Sequence, residues 1–278
     1  VDLTPARAWV LAAPLMLLTA LGVVLPFAWR SAVLLADCAQ AQAGCAWQEL
    51  VADDYYLQAL LNTLLLALGS SLIGLAIGLG AALWACRRPR LQGPLQLLAS
   101  LGANLAGVPL ALALLLLLGS QGVITVGLRA LGWDAGIDLD RLSGLMLAYL
   151  CFQAPLAFLL LLAPVQMQDR QLPEAAAVLG ASAWRHGTRV GLPLLAPSLL
   201  DAFALLFANA AAAFATPFAL SGTAAHVLAV RLAALVSGDL FAQPELAALL
   251  ALGLFGLLVG VIGLCKGSAA WLRRRWGL

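Results

Sequence analysis

Among the polar side chains that stand within apolar runs of this sequence are Asn62, Asn104, Gln153, Asp201, Asn209 and Thr216. Amides and hydroxyls of this kind bind a solute or a neighbouring helix by hydrogen bonding; they do not relay protons. Asp201 is the only acid among them, whereas a carrier driven by protons or sodium places ionisable groups near mid-membrane. Asn209 and Thr216 are seven residues apart, which puts them on one face of a continuous helix. With Asn104 and Gln153 they are the candidate lining of a pathway, and interhelical hydrogen bonding is the other role open to each. The two histidines, His186 and His226, fall in connections on opposite sides of the apolar blocks, so neither a His-based metal site nor a Ser–His dyad assembles. Gly263-Leu264-Cys265-Lys266-Gly267-Ser268 departs from the Gly-x-x-x-x-Gly-Lys-Ser/Thr phosphate loop, and ATP is not expected to bind this chain by that route. No His-Glu-x-x-His and no Gly-x-Ser-x-Gly occurs. The expectation is a chain with no catalytic residue, metal ligand, cofactor or nucleic-acid partner.

A second stretch carries polar residues between two oily blocks: Leu172-Pro173-Glu174-Ala175-Ala176-Ala177-Val178-Leu179-Gly180, running on through Trp184, Arg185, His186 and Arg189 to Leu192-Pro193. Proline at the start of a helix loses no hydrogen bond, and Glu174 sits at the positive end of the helix dipole. Three alanines favour helix and present a small, smooth face, which Gly180 then stops or bends. A small-faced helix beside bulky and basic residues suits docking.

The elements that must position these residues are membrane spans. Of 278 residues 63% are hydrophobic and 10% charged, against roughly 25% charged in soluble domains, and the mean hydropathy is +1.00. Apolar runs long enough to cross a bilayer fall at about 8–35, 57–86, 95–118, 143–167, 194–220 and 246–270. These predict an all-α, six-span membrane protein. The first run lacks a small-x-small cleavage site after its apolar core, and Asp37 before Cys38 makes a poor lipoprotein box, so it is expected to remain as a span.

Basic residues favour cytoplasmic connections. Arg7, Arg87, Arg88, Arg90, Arg170, Arg185, Arg189, Lys266, Arg273, Arg274 and Arg275 fall on one side, against Arg30, Arg129, Arg141 and Arg231 on the other. Eleven against four predicts cytoplasmic termini and a cytoplasmic Glu174 loop. The opposite side collects Asp37, Glu49, Asp53, Asp54, Asp134, Asp138, Asp140, Asp239 and Glu245, which either receive a soluble partner or form a solvated rim. Cys38 and Cys45 share that side, and the six residues between them allow a disulfide in an oxidising compartment. Residues 121–140 predict a short interfacial helix, with Trp133, Trp47, Tyr55 and Tyr56 suited to the headgroup belt.

Within the spans, Gly74/Gly78 and Gly256/Gly260 form Gly-x-x-x-Gly pairs that let helix backbones approach closely. Pro26, Pro109, Pro155 and Pro217 each free a backbone carbonyl, and the kinks either open a central cavity or only curve the bundle.

Glu174-Ala175-Ala176, three residues, Gly180, then Leu192-Pro193 resembles the EAA motif of permease subunits in binding-protein-dependent ABC importers. Looser likenesses are Asn62-Thr63-Leu64 opening the second span, Pro109 in the third, and Phe214 with Leu220-Ser221-Gly222 ending the fifth; together they cover roughly residues 57–270. Around spans three to five the sequence looks most similar to permeases of the polyamine, phosphonate, thiamine and ferric-iron group. The resemblance implies a type I importer permease bundle in a bacterial inner (plasma) membrane. Residues 1–56 would hold the first span and an outer loop, 57–270 a five-helix core with a coupling loop at 169–192, and 271–278 a basic tail. It implies that Glu174, Ala175, Ala176, Gly180, Leu192 and Pro193 couple the chain to a pair of ATPase subunits, which carry the ATP and magnesium. Its other partners would be a second permease subunit, identical or different, a periplasmic substrate-binding protein and the lipid bilayer. A secondary carrier or channel-like protein independent of ATP is the alternative reading.

Overall fold

The computed structural model describes residues 53–132, 138–168, 180–237 and 244–276, with Ala176, Val178 and scattered residues between Ala13 and Ala36. The expected first span, the Cys38–Cys45 pair, Trp47 and Trp133 lie wholly or mostly outside those residues.

Every element among the described residues is a helix. In chain order these are α1 (Asp54–Cys86), α2 (Pro89–Asn104), α3 (Val108–Leu118), α4 (Val123–Ala130), α5 (Leu142–Gln166), the short α6 (Ala183–His186) running into a π turn at Gly187–Gly191, α7 (Leu192–Ala211), α8 (Ala215–Ser221), α9 (Leu228–Ser237) and α10 (Pro244–Trp276). Among the described residues five stretches are long and apolar enough to cross a membrane: Asp54–Cys86, Val108–Ala130, Leu142–Gln166, Gly187–Ala211 and Glu245–Arg275. The protein is a multi-pass membrane protein.

Two expected spans are not single helices. The run at 95–118 is divided between α2 and α3 by a break at Leu105–Gly107, and the run at 194–220 is divided between α7 and α8 by a break at Ala212–Phe214. Gly107 takes φ 94°, a left-handed conformation that ends helical propagation. Pro109 consequently lies in the first turn of α3, where its missing N–H costs nothing, and does not kink a helix from within. Pro155 does lie inside a continuous helix, α5.

The chain forms two compact units. One holds residues 1–57 and 232–255, the other 58–231 and 256–278. The core of the second unit is built on α5, whose Phe158, Leu161, Leu162 and Val165 pack with Ala82 and Ala85 of α1, Ala99 of α2, and Leu195 and Ala202 of α7. Small residues of α1 and α2 face large ones on α5, so backbones come close. The Gly74/Gly78 pair is the extreme case: a Cβ built on Gly78 would stand 2.5 Å from Cβ of Ala157 and 2.6 Å from N of Phe158. With lipid tails as apolar as leucine, such shape fit carries helix association in a membrane. Gly256 and Gly260 have nothing within 4 Å of the corresponding position.

Candidate functional site

The segment from Gln168 to Gly191 is closed at its base: Gln168 Nε2 donates to the Gly191 carbonyl at 2.9 Å. Just before it, at the end of α5, Gln166 Nε2 donates to Gln92 Oε1 at 3.2 Å, and Gln92 Nε2 donates to the Ala85 carbonyl at 3.1 Å. Glutamines from α5 and α2 thus tie the loop's root to the α1–α2 corner. Sequence reasoning passed over all three, because a lone glutamine beside a span carries no spacing signal.

Glu174 and Ala175 lie outside the described residues. Ala176 and Val178 are helical, and Gly180 follows with φ 76° in a turn closed by donation from Ala181 N–H to the Ala176 carbonyl at 2.9 Å. That conformation agrees with the expected stop at Gly180. Val178 is 88% exposed and Trp184 81% exposed. Large apolar side chains presented this fully beside a turn, on a connection rich in basic residues, form a surface ready to be covered. Ser182 Oγ accepts from Arg185 N–H and opens α6, while Thr188 Oγ1 returns a hydrogen bond to the Trp184 carbonyl at 2.9 Å. Leu192 and Pro193 form the first turn of α7, so the loop feeds directly into a spanning helix.

The four candidate lining residues separate into two pairs. Gln153 is fully buried and donates from Nε2 to the Leu206 carbonyl at 2.8 Å, joining α5 to α7. Thr216 is buried as well, and its Oγ1 accepts from Gly107 N–H at 2.9 Å. Asn104 and Asn209 are exposed. The single face expected to hold Asn209 and Thr216 is interrupted, because α7 ends between them. The Gly107–Thr216 bond instead pins the break in one divided span to the break in the other. Tyr149, buried on α5, places its hydroxyl 3.4 Å from the Ala213 carbonyl within the second break.

At the far ends of the helices, Asn62 and Thr63 receive a structural role. Asn62 Nδ2 donates to the His226 carbonyl at 3.1 Å, and Thr63 Oγ1 accepts from Leu228 N–H at 2.8 Å while donating to the Ala59 carbonyl at 2.8 Å. Together they anchor the α8–α9 connection onto α1.

Asp201 is paired twice. Lys266 Nζ lies 2.9 Å from Oδ1, and Arg273 Nη2 is bonded to Oδ2. The two cations are seven residues apart on α10, one helical face.

No family model matches the sequence. Two curated proteins are similar to part of it. One, named as a ferric transport system permease protein, FbpB 1, of Haemophilus influenzae, is 24% identical over 182 residues, 63% of this chain and 28% of that protein. The other, named as an ABC transporter permease protein, y4fN, of Sinorhizobium fredii, is 32% identical over 150 residues, 52% of this chain and 25% of that protein. The matched region is about a quarter of the length of these relatives. Among solved structures, a chain of a bacterial ABC transporter involved in the import of the acidic polysaccharide alginate superposes with TM-score 0.71 at 19% identity, over 95% of this chain and 96% of that one. The same transporter with an alginate-pentasaccharide-bound periplasmic protein superposes with TM-score 0.71 at 20% identity, over 97% and 96%. The fold is shared with a chain of these transporter structures.

Proposed function

We propose that this chain is the permease subunit of an ATP-driven importer in a bacterial inner membrane. It passes a small solute delivered by a periplasmic binding protein and is driven through its 172–193 loop by a pair of separate ATPase subunits that bind ATP and magnesium. The observation that carries this reading is the loop: a glycine turn with Val178 and Trp184 laid bare, rooted by Gln168 and continuous with α7. The curated relatives' names and the alginate transporter's fold support it. Glu174, Ala175, Ala176, Gly180, Leu192 and Pro193 form the docking element in this proposal, and a second permease subunit, identical or different, completes the pathway.

The position of Gly180 gives the test. A side chain at φ 76° meets no neighbour among the described residues, and Gly180→Asp strains the local backbone by about 1–2 kcal/mol. The variant is expected to insert and fold normally, lose most ATPase recovery in a mild-detergent pull-down, and lose solute uptake by at least tenfold. Wild-type levels of both in the variant would sink the coupling role. Uptake that persists after ATP depletion but collapses with the proton gradient would replace the importer with a secondary carrier.

A further inference from the structure

Asp201 stands out because it is an acid at span depth that the proposed transport cycle does not use. It lies at the polar end of a cleft of about 400 Å³ between α5, α7 and α10. Pro164, Leu205, Ala208 and Ile262 make apolar walls, and Ser198, Asp201 and Lys266 make the polar end. From Asp201 to Ala208 is seven residues of helix, about 10 Å, so the trench is long as well as one-sided in polarity. Arg273 joins the polar end through its bond to Asp201. Two cations against one carboxylate leave one positive charge. Lys266 and Arg273 keep 63% and 49% of their side-chain surfaces exposed while paired with Asp201.

We infer that this cleft holds an anionic phospholipid of the cytoplasmic leaflet, its phosphate on Lys266 and Arg273 and one acyl chain along the apolar walls. A hydrophilic solute would leave those walls wetted or uncovered, whereas an acyl chain covers them. The residual positive charge lies toward the end of α10 that carries Arg273, Arg274 and Arg275, where basic residues meet an anionic membrane surface. Long basic side chains near helix ends reach toward headgroups while their stems stay in apolar surroundings. Asp201 offsets one of the two cations and so limits the site to one net charge, which suits one phosphodiester. This inference does not depend on the ATPase being present.

The test uses the purified full chain, delipidated in mild detergent and mixed with phosphatidylglycerol or phosphatidylcholine, with bound lipid counted by native mass spectrometry. The wild type is expected to retain phosphatidylglycerol at least fivefold better, about the effect of one basic residue near an anionic surface. Lys266→Gln with Arg273→Gln should erase that preference, and Ala208→Phe, which fills the cleft without changing charge, should lower retention of both lipids. Asp201→Asn raises the net charge and should strengthen the preference, while a purely structural brace predicts its loss. Equal retention by wild type and the double glutamine variant overturns the site. A preference lost in Asp201→Asn overturns it in favour of the brace. Displacement of phosphatidylglycerol by millimolar inorganic phosphate overturns the lipid in favour of a free anion.

Discussion

At the scale of single residues, identical sequence signals part company in the structure. Gly74/Gly78 and Gly256/Gly260 are the same motif, yet among the described residues only the first pair has another backbone against it. Gly78→Leu therefore forces α1 away from Ala157 and Phe158, where overpacking costs about 1–3 kcal/mol. Gly256→Ala adds a methyl into open space and improves helix propensity slightly. The expected outcome is a lower thermal midpoint for purified Gly78→Leu and an unchanged or slightly raised one for Gly256→Ala, read by fluorescence-detected size exclusion after heating. Asp201 shows the same divergence: its type alone suggests a cation site in a pathway, but its oxygens already face Lys266 and Arg273. Two cations already at its oxygens disfavour a polycation held at this position.

At the scale of elements, the two broken helices were the part least legible in the sequence. Hydropathy runs continuously through Leu105–Gly107 and Ala212–Phe214, so a window sees one span where the backbone makes two helices. The breaks survive because polar groups freed by them find partners, as non-helical backbone within a membrane requires. Gly107 N–H finds Thr216 Oγ1, a residue 109 positions away. By contrast, α1, α5 and α10 fall where apolar length placed them, and the turn at Gly180 falls where the change from alanine-rich helix to glycine placed it. Asn62 was visible as a polar residue within a span and Thr63 only as part of a likeness; their bonds to the α8–α9 connection depend on distant chain and have no local signal. Thr216→Val keeps the shape and removes the acceptor, leaving a half-buried N–H unmet at about 1 kcal/mol, while Thr216→Ser keeps the oxygen. Thermal unfolding should show a clear loss for valine and near wild-type behaviour for serine; equal behaviour of the two would mean the Gly107 bond does not hold the breaks together.

At the scale of the whole molecule, function depends on which ends of the helices share a side. Within the larger unit the ion cluster brings the loop-proximal turns of α7 beside the end of α10, and Asn62 and Thr63 bring the start of α1 beside the α8–α9 connection. The basic-residue bias assigns the first set of ends to the cytoplasm. A docking loop is useful to an ATPase only there. In a background with the five cysteines replaced by alanine, Trp184→Cys places a thiol on the exposed part of the loop and Asp140→Cys places one in the exposed turn before α5. A membrane-impermeant maleimide should label position 184 in inside-out vesicles and not in right-side-out ones, with the reverse pattern at position 140. Adding the purified ATPase with nucleotide should then slow labelling at position 184 several-fold and leave position 140 unchanged. Inverted labelling would put the loop on the wrong side for any cytoplasmic motor, and labelling of position 184 indifferent to the ATPase would leave Trp184 outside the docking surface.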